Sequence, residues 1–131
     1  MTPELLVLVL AALLQCVQFV LVSIVLNRDL DPSWTMSPRD RPPKNDLSVT
    51  GGRLKRALDN HFEGLILFTI AAVVISVSGQ SGLFTATCAW IYLAARIAYV
   101  PAYVFGLQPG RSVIWGIGWV ATVLMLVAAL I

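Results

Sequence analysis

Four long apolar stretches alternate with polar breaks along the chain. Residues Pro3 to Leu26 contain no basic side chain and one acid, Glu4. About 20 apolar residues suffice to cross a bilayer as a helix, so this stretch is a first span. Leu54 to Ser78 reads as a second span whose first two turns are polar and whose remainder, Leu65 to Val77, is apolar. Leu83 to Phe105 forms a third and Ser112 to Ile131 a fourth. The breaks are 27–53, with Pro32, Pro38, Pro42 and Pro43, then Gly79-Gln80-Ser81-Gly82, then Gly106 to Arg111. Glycine and proline punctuate each of them. No sustained two-residue alternation suggests strands, and in lipid only helices or closed barrels satisfy their own backbone. The pattern predicts an all-α integral membrane protein, a four-transmembrane-helix bundle formed as one domain by residues 1–131.

Composition agrees with that reading. Of 131 residues, 58% are hydrophobic and 12% charged, with mean hydropathy +0.83, where soluble domains carry about 25% charge. The first stretch lacks the basic leader, shorter apolar core and small-residue cleavage site of a signal peptide. All nine basic residues lie between Arg28 and Arg111, seven of them from Arg28 to Arg56. The positive-inside rule therefore predicts both termini outside, with loops 27–53 and 106–111 in the cytoplasm. A net charge of +2 is too small to argue for nucleic acid, and Asp29, Asp31, Asp40 and Asp46 interleave with the bases of the loop. A modest attraction to anionic lipid headgroups follows. With no retention or export signal, a bacterial inner membrane is expected rather than the endoplasmic reticulum.

Several common chemistries are missing. Cys16 and Cys88 both fall inside spans without a CxxC pattern, so neither a disulfide framework nor a zinc site is implied. His61 is the single histidine and reads as a membrane-interface side chain. No phosphate loop, dinucleotide fingerprint or nucleophile elbow is present.

Polar groups inside the spans carry the candidate chemistry. Arg56, Asn60 and Glu63 stand at i, i+4 and i+7, on one stripe of a helix. Intramembrane ionisable groups usually face the bundle interior and pair, so one outcome is plain helix glue, with Arg56 or Arg96 neutralising Glu63. The other is a grip on a polar ligand. Arg96, Tyr99 and Tyr103 recur at i, i+3 and i+7, placing a guanidinium and two phenols on one face of the third span. Pro101 predicts a kink near that face. Arg111-Ser112 then opens the fourth span, where free backbone N–H groups favour a carboxylate or thiolate.

Taken together, these residues resemble the MAPEG family, the membrane-associated proteins of eicosanoid and glutathione metabolism. The resemblance rests on Ser37-Pro38-Arg39-Asp40 in the long loop, RAxxNxxE at Arg56-Ala57, Asn60 and Glu63, RxxYxxxY at Arg96, Tyr99 and Tyr103, and Arg111-Ser112, in that order across four spans. It implies a homotrimer in which glutathione, as co-substrate, binds between subunits near the cytoplasmic face. Arg56 and Asn60 would hold its carboxylates and backbone, Glu63 its ammonium, Tyr99 and Tyr103 would line the cleft, and Arg96 is counted with them among the glutathione-binding residues. Arg111 and Ser112 would hold the sulfur as thiolate, ready to attack a lipophilic electrophile or a lipid hydroperoxide.

Asp59 and Ile66 depart from the family pattern. Asp59 stands where the prostaglandin-synthase branch has an arginine that clamps glutathione. A carboxylate beside an anionic tripeptide is unfavourable unless Arg56 or Arg53 neutralises it. Ile66 replaces a proline found in many members, which removes the usual kink of the second helix. Two other classes compete with the transferase or peroxidase reading: a non-enzymatic bundle that binds a lipid or another small anion, and a small multidrug exporter. The exporter would need a carboxylate within the first span, which holds no acid beyond Glu4.

Overall fold

A computed structural model describes residues 1–131 and contains helices and connections only. Helix α1 runs from Pro3 to Leu30, a short α2 from Pro32 to Thr35, α3 from Val49 to Val77, α4 from Leu83 to Val104 and α5 from Gly110 to Ala128. Four of these, α1, α3, α4 and α5, are long and apolar enough to cross a membrane. The protein is an integral membrane four-helix bundle.

Local chemistry starts three of the four long helices. Thr2 caps α1 by accepting from Leu5 N at 3.3 Å, with Pro3 in the first turn, where a missing N–H costs nothing. Ser48 caps α3 by accepting from Gly51 N at 3.0 Å. Thr85 accepts the Gly82 N–H at the start of α4, at 3.0 Å.

Two boundaries differ from the sequence expectation. Helix α1 continues past Leu26 to Leu30, and α3 begins at Val49 rather than near Leu54. One residue accounts for both: Asp29, near the end of α1, accepts from Ser48 N at 3.1 Å and from Ser48 Oγ at 2.5 Å. That clasp fixes the cap of α3 against the last turn of α1. Gly51 permits the approach, since a Cβ there would meet Val25, Asp29 and Leu47 at 2.8 to 2.9 Å. Helix α3 then runs unbroken through Ile66. Pro101 lies within α4, which continues one turn further to Val104.

The packing has a centre and two flanks. Helices α3 and α4 touch each other; α1 packs on both from one side and α5 on both from the other, so α1 and α5 do not meet. The apolar core holds Phe68, Ile75, Tyr92 and Met125 among the alanines Ala11, Ala71, Ala72, Ala89 and Ala121. Small residues let helix backbones come close, the main source of cohesion once lipid removes the hydrophobic drive. Along α1, Leu6, Val9, Leu13, Val17, Val20 and Ile24 are exposed, as a lipid-facing surface requires.

This core occupies the half of the bundle nearest the Gly79 to Gly82 turn. Polar side chains gather in the other half, toward the connection 31–48. There Arg53 Nη1 donates to the Val104 carbonyl at 3.0 Å, tying the beginning of α3 to the end of α4.

Candidate functional site

A cleft of about 220 Å³ opens between α3, α4 and α5 in that polar half. Its walls are Arg56, Asp59, Asn60 and Glu63 of α3, Tyr99 and Tyr103 of α4, and Arg111 of α5. A larger cavity of about 550 Å³ lies within the connection, beside Trp34, Arg39, Arg41 and Lys44, and shares no residue with this cleft. Helical period explains the α3 wall, because residues 56, 60 and 63 fall on one stripe. Since α3 starts at Val49, Glu63 stands nearly four turns into its helix at ~3.6 residues per turn. The sequence alone suggested two.

Tyr103 organises the cations. Arg56 Nε donates to Tyr103 Oη at 2.9 Å, and the Arg56 guanidinium lies 5.6 Å from the centre of the Tyr103 ring. The Arg111 guanidinium lies 4.8 Å from the same ring. Tyr99 braces Tyr103 edge-on at 5.7 Å and 74°. Two guanidinium groups thus flank one phenol, and neither has a carboxylate partner. Glu63 is likewise exposed and without a hydrogen bond or ion pair. The glue outcome, in which Arg56 or Arg96 neutralises Glu63, does not occur.

Asp59 is handled differently from the expectation. Its partner is Lys55, one turn earlier on α3, with Nζ donating to Oδ2 at 3.3 Å, the favoured i, i+4 geometry. Arg53 and Arg56 are engaged with Val104 and Tyr103 instead.

Arg96 also departs from its predicted place. It is 4% exposed and does not line the cleft; it stands behind Asn60, donating from Nη1 to Asn60 Oδ1 at 2.9 Å. Asn60, whose Oδ1 is thus occupied, lines the cleft, and its Nδ2 has no partner within the chain. Arg96 Nε donates to His61 Nδ1 at 3.3 Å, and His61 Nε2 donates to the Ala11 carbonyl of α1 at 3.0 Å. His61 is fully buried and not an interface side chain, because it lies on the α3 face that packs inward with Ala57, Leu58 and Phe68. It is the residue that sequence reasoning missed. Its signal was faint, a lone histidine one residue from the Arg56–Asn60–Glu63 stripe. The ring holds Arg96, and Arg96 holds Asn60.

At α5 the expected backbone anion site is partly used up. The Arg111 N–H donates to the Leu107 carbonyl at 3.2 Å, and it is the Arg111 side chain that lines the cleft. Ser112 is exposed and lines no part of the cleft. It follows Arg111 by ~100° around the helix. Of the predicted residues, the structure brings six together at the cleft wall and leaves Arg96 and Ser112 off it.

The MAPEG family model matches residues 7–131, nearly the whole chain. The chain belongs to the MAPEG family. Neither the curated proteins nor the solved structures gave a match. Membership accords with the four-helix membrane bundle, and at family level with membrane glutathione transferase, peroxidase-like or eicosanoid chemistry.

Proposed function

We propose that the protein is a glutathione-dependent membrane transferase or peroxidase that acts on lipophilic electrophiles or lipid hydroperoxides. One observation carries this reading: Arg56, Arg111 and Glu63 converge on a single cleft, and none of them has a charged partner. Two free cations and one free anion complement a ligand that bears several anionic groups and one ammonium. Glutathione as its thiolate has two carboxylates, one sulfur anion and one ammonium. A simple anion, such as a lipid phosphate, would leave Glu63 without a counter-charge, so the non-enzymatic lipid-binding reading fits less well.

Each group then has a role. Arg56 and the Asn60 amide bind carboxylate and peptide oxygens, Glu63 takes the ammonium, and Tyr99 and Tyr103 supply the wall. Arg111 stabilises the sulfur anion. A free thiol titrates near 8.5, and a cation that lowers this by one unit contributes about 1.4 kcal/mol, raising the nucleophilic fraction roughly eightfold at neutral pH. In the transferase reaction the thiolate sulfur forms a bond to the electrophilic carbon, and the displaced group or added electron pair takes up a proton. Ser112 has no part in this protomer's own cleft.

At about 220 Å³ the cleft is smaller than usual small-molecule sites, which hold ~300–1,000 Å³. That supports a site completed by a neighbouring copy, in a homotrimer whose 31–48 connection faces the cytoplasm of a bacterial inner membrane.

The test is isothermal titration of purified, detergent-solubilised protein with glutathione, together with thiolate ultraviolet absorbance. Binding should be accompanied by a thiolate signal that Arg111→Ala abolishes. An unchanged signal in Arg111→Ala would remove that residue from its role.

A further inference from the structure

Arg96 has three kinds of nitrogen donor, and two are used. Nε donates to His61 and Nη1 to Asn60, while Nη2 is buried with no partner. Tyr92 Oη, one turn away on α4, is buried and unpartnered too. The two side chains are 4% and 2% exposed, and neither is free to swing toward another group. Tyr92 stacks on Phe68 at 4.0 Å and 3°, and the Arg96 guanidinium lies 4.7 Å from the Tyr99 ring centre. Leaving a buried guanidinium N–H and a phenol unbonded is costly, so an absent partner is implied.

Both residues line one void of about 30 Å³ between α3, α4 and α5, with Gly64, Leu67, Trp115, Trp119 and Thr122 among its other walls. One oxygen-sized guest needs about 10–15 Å³ by the same measure. A phosphate would not fit, and the Arg96 charge disfavours a cation. Thr122 Oγ1 donates to the Gly118 carbonyl at 3.0 Å and keeps its lone pairs as a further acceptor.

The void sits on the same three helices as the cleft, one turn toward the apolar core. Along α3, Asn60 and Glu63 give way to Gly64 and Leu67; along α5, Arg111 gives way to Trp115; along α4, Tyr99 gives way to Arg96. Leu67, Trp115 and Trp119 are each close to half exposed, at 42%, 42% and 49%. The void therefore has a rim on the exposed surface of the chain.

We propose that this void is a binding site for one uncharged oxygen, which accepts from Arg96 Nη2 and hydrogen-bonds Tyr92 Oη. The oxygen belongs either to a resident water or to the hydroxyl, hydroperoxide or carbonyl of a membrane-dissolved molecule entering past Leu67, Trp115 and Trp119. The site stands independently of glutathione, because its orphan groups lie outside the cleft. A guest oxygen completes the hydrogen bonding of the arginine that holds Asn60.

High-resolution crystal structures of the full chain, grown from a lipid mesophase without glutathione, test this directly. They are compared before and after soaking with cumene hydroperoxide, an uncharged lipophilic hydroperoxide. A single density within hydrogen-bond distance of Arg96 Nη2 and Tyr92 Oη before soaking assigns the water. Density that appears only after soaking and extends past Trp115 assigns the membrane molecule. An empty void in both crystals overturns the proposal. Gly64→Ala should abolish the density, because its methyl group would stand 3.7 Å from Tyr92 Oη, an ordinary contact, and fill the space. Density that persists unchanged in that variant would overturn the site as drawn. Tyr92→Phe keeps the ring on Phe68 and removes one partner, so occupancy should fall.

Discussion

Two glutamates at opposite ends of the bundle differ in whether the chain itself satisfies their carboxylates. Glu4 is fully buried, yet both its oxygens are satisfied: Thr85 Oγ1 donates to Oε1 at 2.5 Å and Ser81 Oγ to Oε2 at 2.7 Å. Beside it Thr2 and Ser76 share a hydroxyl hydrogen bond of 2.5 Å. The first turn of α1 is thereby fastened to the end of α3 and the beginning of α4. Glu63 is exposed in an open cleft, and no group of the chain bonds to it. A buried carboxylate can persist only with donors, so Glu4 is complete without any ligand. Glu63 has no such donors and stays exposed.

That contrast makes opposite predictions for the two positions. The largest effect is on stability at the closed end. Glu4→Ala removes two charge-assisted hydrogen bonds and strands the two hydroxyls, costing about 3 kcal/mol. Thermal melting in detergent should fall by several degrees, while Glu4→Gln, which can still bond both hydroxyls, should lose much less. Unaltered melting in Glu4→Ala would erase the distinction between the ends.

The next effect is on affinity at the open end. Glu63→Gln should weaken glutathione binding about thirtyfold, from loss of about 2 kcal/mol of ammonium contact, without lowering the melting temperature. A melting loss comparable to that of Glu4→Ala would mean that Glu63 also serves the fold. Arg56→Ala should weaken binding about tenfold, and its effect should shrink at high salt as screening rises. The smallest change belongs to Lys55→Ala. Freed from its exposed partner, Asp59 should oppose the anionic ligand by about twofold in Kd, the scale of a surface ion pair.

Legibility in the sequence follows the same divide. Spans and stripes were readable because helical period and apolar runs are local: residues 56, 60 and 63 share a face whatever surrounds them. Relations between helices were not. Gly51-Gly52 looked like loop, and only the Asp29 clasp on Ser48 shows why the helix begins ahead of them. Arg96 shares a stripe with Tyr99 and Tyr103, so it was placed in the cleft wall. Burial of that face of α4 turns it behind Asn60 instead. His61 looked solitary because both its partners, Ala11 and Arg96, lie on other helices. Asp59 pairs with Lys55 one turn away, a contact local enough to be legible from the i, i+4 spacing alone.

The central claim, that the open carboxylate and its two flanking guanidinium groups form a glutathione site, is tested most directly by one calorimetric titration. Glutathione is added to the wild-type protein and to Glu63→Gln in the same detergent at neutral pH. Saturable binding by the wild type and about thirtyfold weaker binding by the variant are predicted. No binding to the wild type at millimolar glutathione, or equal affinity in the two proteins, would contradict it.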